Sequence, residues 1–472
     1  MFVAAILLLS FLQPLKSTEL DRGTTISDPD ILADLDRQLG LGAMLGAPAA
    51  SSAREIFVLP SMASLYAALN REFDEFRSTI SSSENRTPRL FDRNALFSEQ
   101  TKSVLVGVVN RMDRAYVAPR ACGEIRLIYR PVSKVSSEEG QPAAPTFRLP
   151  MTINLVLDAR DVDGAVSCSD IARRWLSSTD KTTARELLSE NGVLSGISPK
   201  NINRIELNIQ MARAADAVDD FEARAEYLMK VFRLGSQSRR FEESTLENQI
   251  DWTRLSANPA LASDFKAWLF ANDHLKLLDR GTIIVPDRYL ANRALLMTPQ
   301  SGIGDGAASL MKDDDVVARL AELSREGSGY ENIRSSAGVA RRLDDITCGG
   351  CHSTRAIGGF HFPGVGSGAI TAKASPHFFG DQPRRRDILA AFRDGRDPDF
   401  SRGFSARPQA SRSRELDGTT YLDGWGAHCH APTVAMPKPD KSFASWTCIE
   451  GLTCRMPRDA SPTRAGFCFP PN

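Results

Sequence analysis

Eight cysteines fall in three groups along 472 residues: Cys122 and Cys168, then Cys348 and Cys351, then Cys429, Cys448, Cys454 and Cys468. Cross-links restrict a fold more than composition does, because each bridge fixes two Cα atoms within about 4.4–6.8 Å. Setting aside Cys348 and Cys351, which stand two residues apart, leaves six cysteines, an even number that suggests disulfides in an exported chain. Cys122 and Cys168 lie in one region and are natural partners, while the pairing of the other four stays open. Those four sit in a short stretch poor in core-forming residues, which a disulfide framework would have to staple.

The N-terminus points to export. Phe2 to Leu12 (FVAAILLLSFL) is an apolar run of signal-peptide length, too short to span a bilayer. Residues 1–17 therefore read as a signal peptide, placing the mature protein in the periplasm or outside the cell, with no integral membrane segment. Lys and Arg total 58, as do Asp and Glu, so the net charge is zero and a general nucleic-acid binder is not expected.

Between signal and tail the pattern is mixed. Residues 18–100 read as a polar, Gly/Ser-rich linker followed by a helix near Phe57 to Ile80. Ser103 to Asp113, Glu124 to Val132, Thr146 to Asp158 (interrupted at Pro150) and Arg204 to Arg213 are rich in β-branched or alternating apolar residues, and read as strands. Ala223 to Leu234 fits strand or helix. SDFKAWLFAND is helical and TIIVPDRYL begins as a strand. IARRWLSS and ARELLSENG read as short helices, as do VVARLAELSREG, SSAGVARRLDDITC and ILAAFRDGRDP. The fold class is α+β: an antiparallel-sheet body over 101–299, a small, mainly helical segment over 300–412 and a Cys-rich tail over 413–472.

TCGGCHSTRAIGGFHFPGVG (Thr347 to Gly366) carries the chemistry. In Cys-x-x-Cys-His, two thiols one turn apart can add to the two vinyl groups on one edge of a porphyrin, and the adjacent histidine reaches the iron. Three rivals stand beside haem c. A thioredoxin-like dithiol would need a βαβ setting. A structural zinc would need two more ligands, for which His361, His377, His428 and His430 are available. A plain disulfide needs neither. TCGGCH resembles the haem-attachment segment of c-type cytochromes, and the resemblance covers that segment only. It implies one covalent haem c on Cys348 and Cys351, with His352 as proximal iron ligand and a redox partner protein. The stretch VGVVNRMDRAYVAPRACGEIRLIYR resembles a segment of exported bacterial proteins that carry Cys-x-x-Cys-His further along; no activity comes with it.

For the distal side, His361 is the nearest candidate, flanked by Phe360 and Phe362, and nine residues of chain cover the distance around a haem. His377 is second, with Met436 and Met456 far along the tail. Arg384 to Arg386 form a basic triplet; Arg385 and its neighbours would suit haem propionates, or simply begin a solvated helix. Asn110, Asp113 and Glu124 lie at strand ends, where they line a site or serve turns. No P-loop, GxSxG, HExxH or dinucleotide fingerprint occurs. The expected function is one-electron transfer by an exported haem c protein whose long body docks a partner or substrate. The alternatives are a periplasmic haem oxidase or peroxidase, and a disulfide-stapled binding protein without haem.

Overall fold

Along the central strands, apolar and polar side chains alternate, so that one face of the sheet is dry. The computed structural model describes residues 25–80, 89–134, 146–160, 166–178, 182–213, 225–271, 273–298, 307, 314–325, 330–348, 376–402, 428–432, 440–444, 446–448, 450–456 and 466–471. Ten strands form one antiparallel sheet: β1 (Thr25–Ile26), β2 (Arg89–Leu90), β3 (Thr101–Arg111), β4 (Glu124–Lys134), β5 (Thr146–Arg148), β6 (Met151–Asp158), β7 (Ile202–Arg213), β8 (Ala225–Leu234), β9 (Phe241–Ser244) and β10 (Ala294–Thr298). Their order is β1-β3-β4-β6-β7-β8-β10, with β2, β5 and β9 pairing β7, β4 and β8. The fold is α+β, as expected. The ambiguous stretch is strand β8, because it pairs β7 over most of its length.

Ile125, Leu127 and Tyr129 of β4, Ile153 and Leu155 of β6, Ile205 and Leu207 of β7 and Phe232 of β8 share one face and one core. The polar N-terminal stretch is more structured than its composition suggested. Asp28 caps a helix over Pro29–Leu39 by accepting from the amides of Asp30 and Ile31, and its Leu32, Leu35 and Leu39 are buried in that core. Asp36 of this helix accepts from the Leu105 amide at 3.0 Å, beside a register shift in β3. Helices Ala53–Phe57, Ala63–Ile80 and Cys168–Ser177 complete the layer, the last contributing Trp175.

A second core begins at Ile250. It gathers Leu255, Phe265, Leu269, Leu278 and Tyr289 with Val316, Val339, Leu343 and Ile346, so the helices Trp252–Ala257, Pro259–Phe270 and His274–Arg280 pack with Ser336–Asp345. Thr282 to Val285 forms no strand. The Asn248 amide instead holds Ile283 C=O (3.0 Å) and Val285 N–H (2.9 Å), replacing the neighbour a strand would need. The helix around Ile388 begins earlier than expected and spans Pro376–Arg393; its Leu389 joins the first core.

Three disulfides are present: Cys122–Cys168, Cys429–Cys454 and Cys448–Cys468. The first joins the turn before β4 to the start of a helix. Gly123, beside it, has φ +87°, and a Cβ there would meet Arg111 C=O at 2.6 Å, so only glycine lets the chain enter β4. The tail is a small sheet of β11 (His428–Cys429), β12 (Thr453–Arg455) and β13 (Gly466–Phe469), stapled by the other two bridges. No helix among the described residues is long and apolar enough to cross a membrane.

Replacing Cys122 and Cys168 together by alanine should lower stability by about 2–4 kcal/mol. Urea unfolding followed by the buried Trp175 would measure it, and an unchanged midpoint would show that this bridge carries no stability.

Candidate functional site

The helix that leads into the motif is enclosed on all sides. Ser335 caps it, and every residue from Gly338 to Asp345 is buried. Burying two arginines and two aspartates on one helix is costly unless each is matched. Arg341 meets Asp345 one turn on at 3.1 Å and lies over the Trp446 ring of the tail; Arg342 donates to the C=O groups of Leu278 and Asp279. Asp440 and Ser442 of the tail hydrogen-bond Ser335, tying the stapled module to the start of the same helix.

This helix delivers Cys348 to a fixed place. Cys348 packs against the cluster of Met229, Val231, Leu246 and Ala294, as Tyr227 also does, and its thiol donates to Glu247 C=O at 3.5 Å. It takes no part in the three disulfides Cys122–Cys168, Cys429–Cys454 and Cys448–Cys468. The carboxylate of Glu247 pairs with Arg114, whose Nε donates to Glu124 at 3.2 Å. Glu124 also accepts from Arg126 (3.0 Å) and Arg204 (2.8 Å), and those two arginines hold Glu206. Beside it, Asp113 accepts from Arg111 at 2.8 Å and from Arg384 at 3.1 Å. The residues before and after the motif thus reach the same corner of the sheet, where β3 ends and β4 begins.

Burial by itself would raise these carboxyls, but the guanidiniums override it. Arg114, Arg204 and Arg126 hold Glu124 well below the usual carboxylate range, and Arg111, Arg385 and Arg384 do the same for Asp113. Glu206 is also buried; Arg126 and Arg204 bring it down to about 2. All three stay ionised at neutral pH, so the corner is a fixed array of charges.

Each candidate from the sequence can now be placed. Cys348 stands on the apolar wall. Arg385 is buried on the Pro376–Arg393 helix and acts electrostatically on Asp113. His377 belongs to the first turn of that helix, with its side chain outside the described residues. Cys351, His352, His361 and Met436 also lie outside the described residues. Met456 belongs to the tail, its sulfur 3.9 Å from that of Cys454. Asn110, Asp113 and Glu124 are all buried: Asn110 serves a turn by accepting from the Met112 amide, and the other two anchor the ion-paired corner. Glu247, Arg114, Arg126 and Arg204 were not singled out from the sequence. Arg204 and Glu206 alternate with apolar residues along β7, a pattern that marks them only as the polar face. Glu247 carried no sequence signal, since its contacts lie 101 and 133 positions away.

In comparisons with protein-family models, curated proteins and solved structures, nothing matches this chain.

Carboxyls held down in the folded state contribute stability above their ordinary range near pH 4, and that contribution is lost as the pH falls through their folded values. Acid unfolding should therefore develop between about pH 4 and about pH 2. Glu124→Gln leaves three buried guanidiniums short of a partner and should cost about 3–5 kcal/mol at neutral pH. Its stability should also fall less steeply on acidification. Parallel pH profiles for variant and wild type would remove Glu124 from this role.

Proposed function

We propose that the chain is an exported c-type haem protein acting in one-electron transfer, with the α+β body docking a partner protein or substrate beside the haem. The carrying observation is that Cys348, outside the three disulfides, is held on an apolar wall of the body next to a buried arginine–carboxylate corner that Arg384 and Arg385 reach from the helix after the motif. The six remaining cysteines pair among themselves, so none of them competes with Cys348 and Cys351 for the motif's role.

The residues present suit the group. An apolar wall favours a porphyrin ring, and arginines match carboxylates such as propionates in a two-point fork. Cys348 and Cys351 would hold the haem by thioethers and His352 would hold the iron, with His361 as the distal candidate, then His377 and Met436. The bound haem would supply one-electron chemistry at its iron. The chain's own part is to fix Cys348 through Glu247, to exclude water on the Met229–Val231 side and to surround the site with charges that stay fixed across neutral pH. Disulfides suit an oxidising compartment, which fits export.

Expression with a haem-c maturation system tests this directly. The wild-type chain should stain for covalent haem and give a c-type pyridine haemochrome spectrum, and its mass should be shortened by about 15–25 residues of signal peptide. Cys348→Ala with Cys351→Ala should abolish the stain while the circular dichroism of the sheet persists. His361→Ala should turn the iron high-spin and open it to carbon monoxide. No haem on the wild-type chain would end the proposal.

A further inference from the structure

The stapled tail lies on the helix that leads to Cys348, and its contacts cover one face of it. Ser442, itself buried, shares a hydrogen bond with Ser335 Oγ at 3.0 Å and accepts from the Arg334 amide at 2.9 Å. It sits so close that a Cβ at Gly338 would stand 2.6 Å from Ser442 Cβ, so glycine is needed there. Asp440 accepts from Ser335 Oγ at 2.6 Å. Ala337 packs against Phe443 and Trp446, and Arg341 lies over the Trp446 ring. Positions 337, 338 and 341 share a face at helical spacing, whereas Val339, Leu343 and Ile346 belong to the second core. Asp440, Ser442, Phe443 and Trp446 thus form a strap across one side of the helix.

Two disulfides hold the strap. Cys429 is followed by His430, whose amide donates to Trp446 C=O at 2.9 Å and whose ring stacks on Phe443 at 4.5 Å. Cys448 comes two residues after Trp446. Among the described residues little else shapes the strap: the tail's two clusters bury Phe443 and Trp446 in one, Cys429 and Cys468 in the other. Each bridge has one half-buried cysteine, Cys454 in the first and Cys448 in the second, where an attacking thiolate can enter. The sulfurs of Cys429, Cys448 and Cys454 lie within 4.8 Å of one another. A thiolate released in one bridge therefore stands beside the other and can attack it, so the two open together.

We propose that the tail is a redox-sensitive latch on the helix that carries Cys348. When oxidised, the two bridges clamp the strap over Ala337, Gly338 and Arg341. A dithiol opens each bridge by exchange: it gives up two electrons and two protons, closes to its own disulfide and leaves two cysteine thiols. The strap then loses its frame and lifts away. The helix keeps its Val339 and Leu343 side on the second core, so it stays formed while its other side becomes solvated. The latch sets how firmly the helix is held, and it stands whether or not the motif takes haem.

Hydrogen exchange of the full-length protein, prepared with and without haem, tests it before and after dithiothreitol. Reduction should speed exchange of the amides from Val339 to Asp345 at least about tenfold, and re-oxidation should restore their protection. Cys448→Ala with Cys468→Ala should reproduce the effect without reductant and leave the amides of β6 and β7 unchanged. Trp446→Ala, which keeps both bridges, should speed the same helix in the oxidised protein. Helix exchange unmoved by reduction would overturn the proposal. So would sheet exchange rising in step with the helix in the double variant, or an effect of Trp446→Ala confined to the tail. The expected exchange in a chain that never takes up haem would keep this inference and reject the haem reading. A haem-loaded chain with unmoved exchange would do the reverse.

Discussion

Glu124 is the residue around which the body is organised. It sits at the first position of β4, buried, and accepts from three arginines that come from the turn after β3, from β4 itself and from β7. A buried carboxylate in such a place depends on these partners, while the arginines also share Glu247 and Glu206. Strand register, the turn before β4 and the position of Glu247 are therefore coupled through one charge. The Cys122–Cys168 bridge and the left-handed Gly123 lie immediately before this residue and fix where the strand starts.

Coupling extends to the motif through Glu247. Its side chain belongs to the ion-paired corner, and its carbonyl receives the Cys348 thiol. From the other direction, the buried helix Ser336–Asp345 is gripped by the second core, by Leu278 and Asp279 through Arg342, and by the tail through Ser335 and Arg341. Cys348 is thus positioned by contacts from the body, the helical core and the tail together.

The tail solves a different problem. Its described strands are two to four residues long, and its hydrophobic clusters are small, so two disulfides supply what a core does not. Phe443 and Trp446 are its main apolar contribution, and Trp446 is used against Arg341 of the motif helix.

The alternation in β4, β6 and β7 made the sheet and its dry face legible, because period-two burial leaves its mark in the order of residues. The spacing of the cysteines set the Cys348–Cys351 pair apart from six others, which the structure joins in three disulfides, since spacing is a local feature. The Pro29–Leu39 helix was also written locally, in Asp28, Pro29 and the leucine spacing, although the polar composition around it masked the signal. Tertiary structure alone decided that Thr282 to Val285 is held by the Asn248 amide instead of a strand partner. It alone chose Cys429–Cys454 and Cys448–Cys468, and set Asp113, Glu124 and Glu247 in one corner beside Cys348. Those outcomes depend on groups far apart in the chain, and whether a buried charge is stable depends on partners that no local pattern can specify.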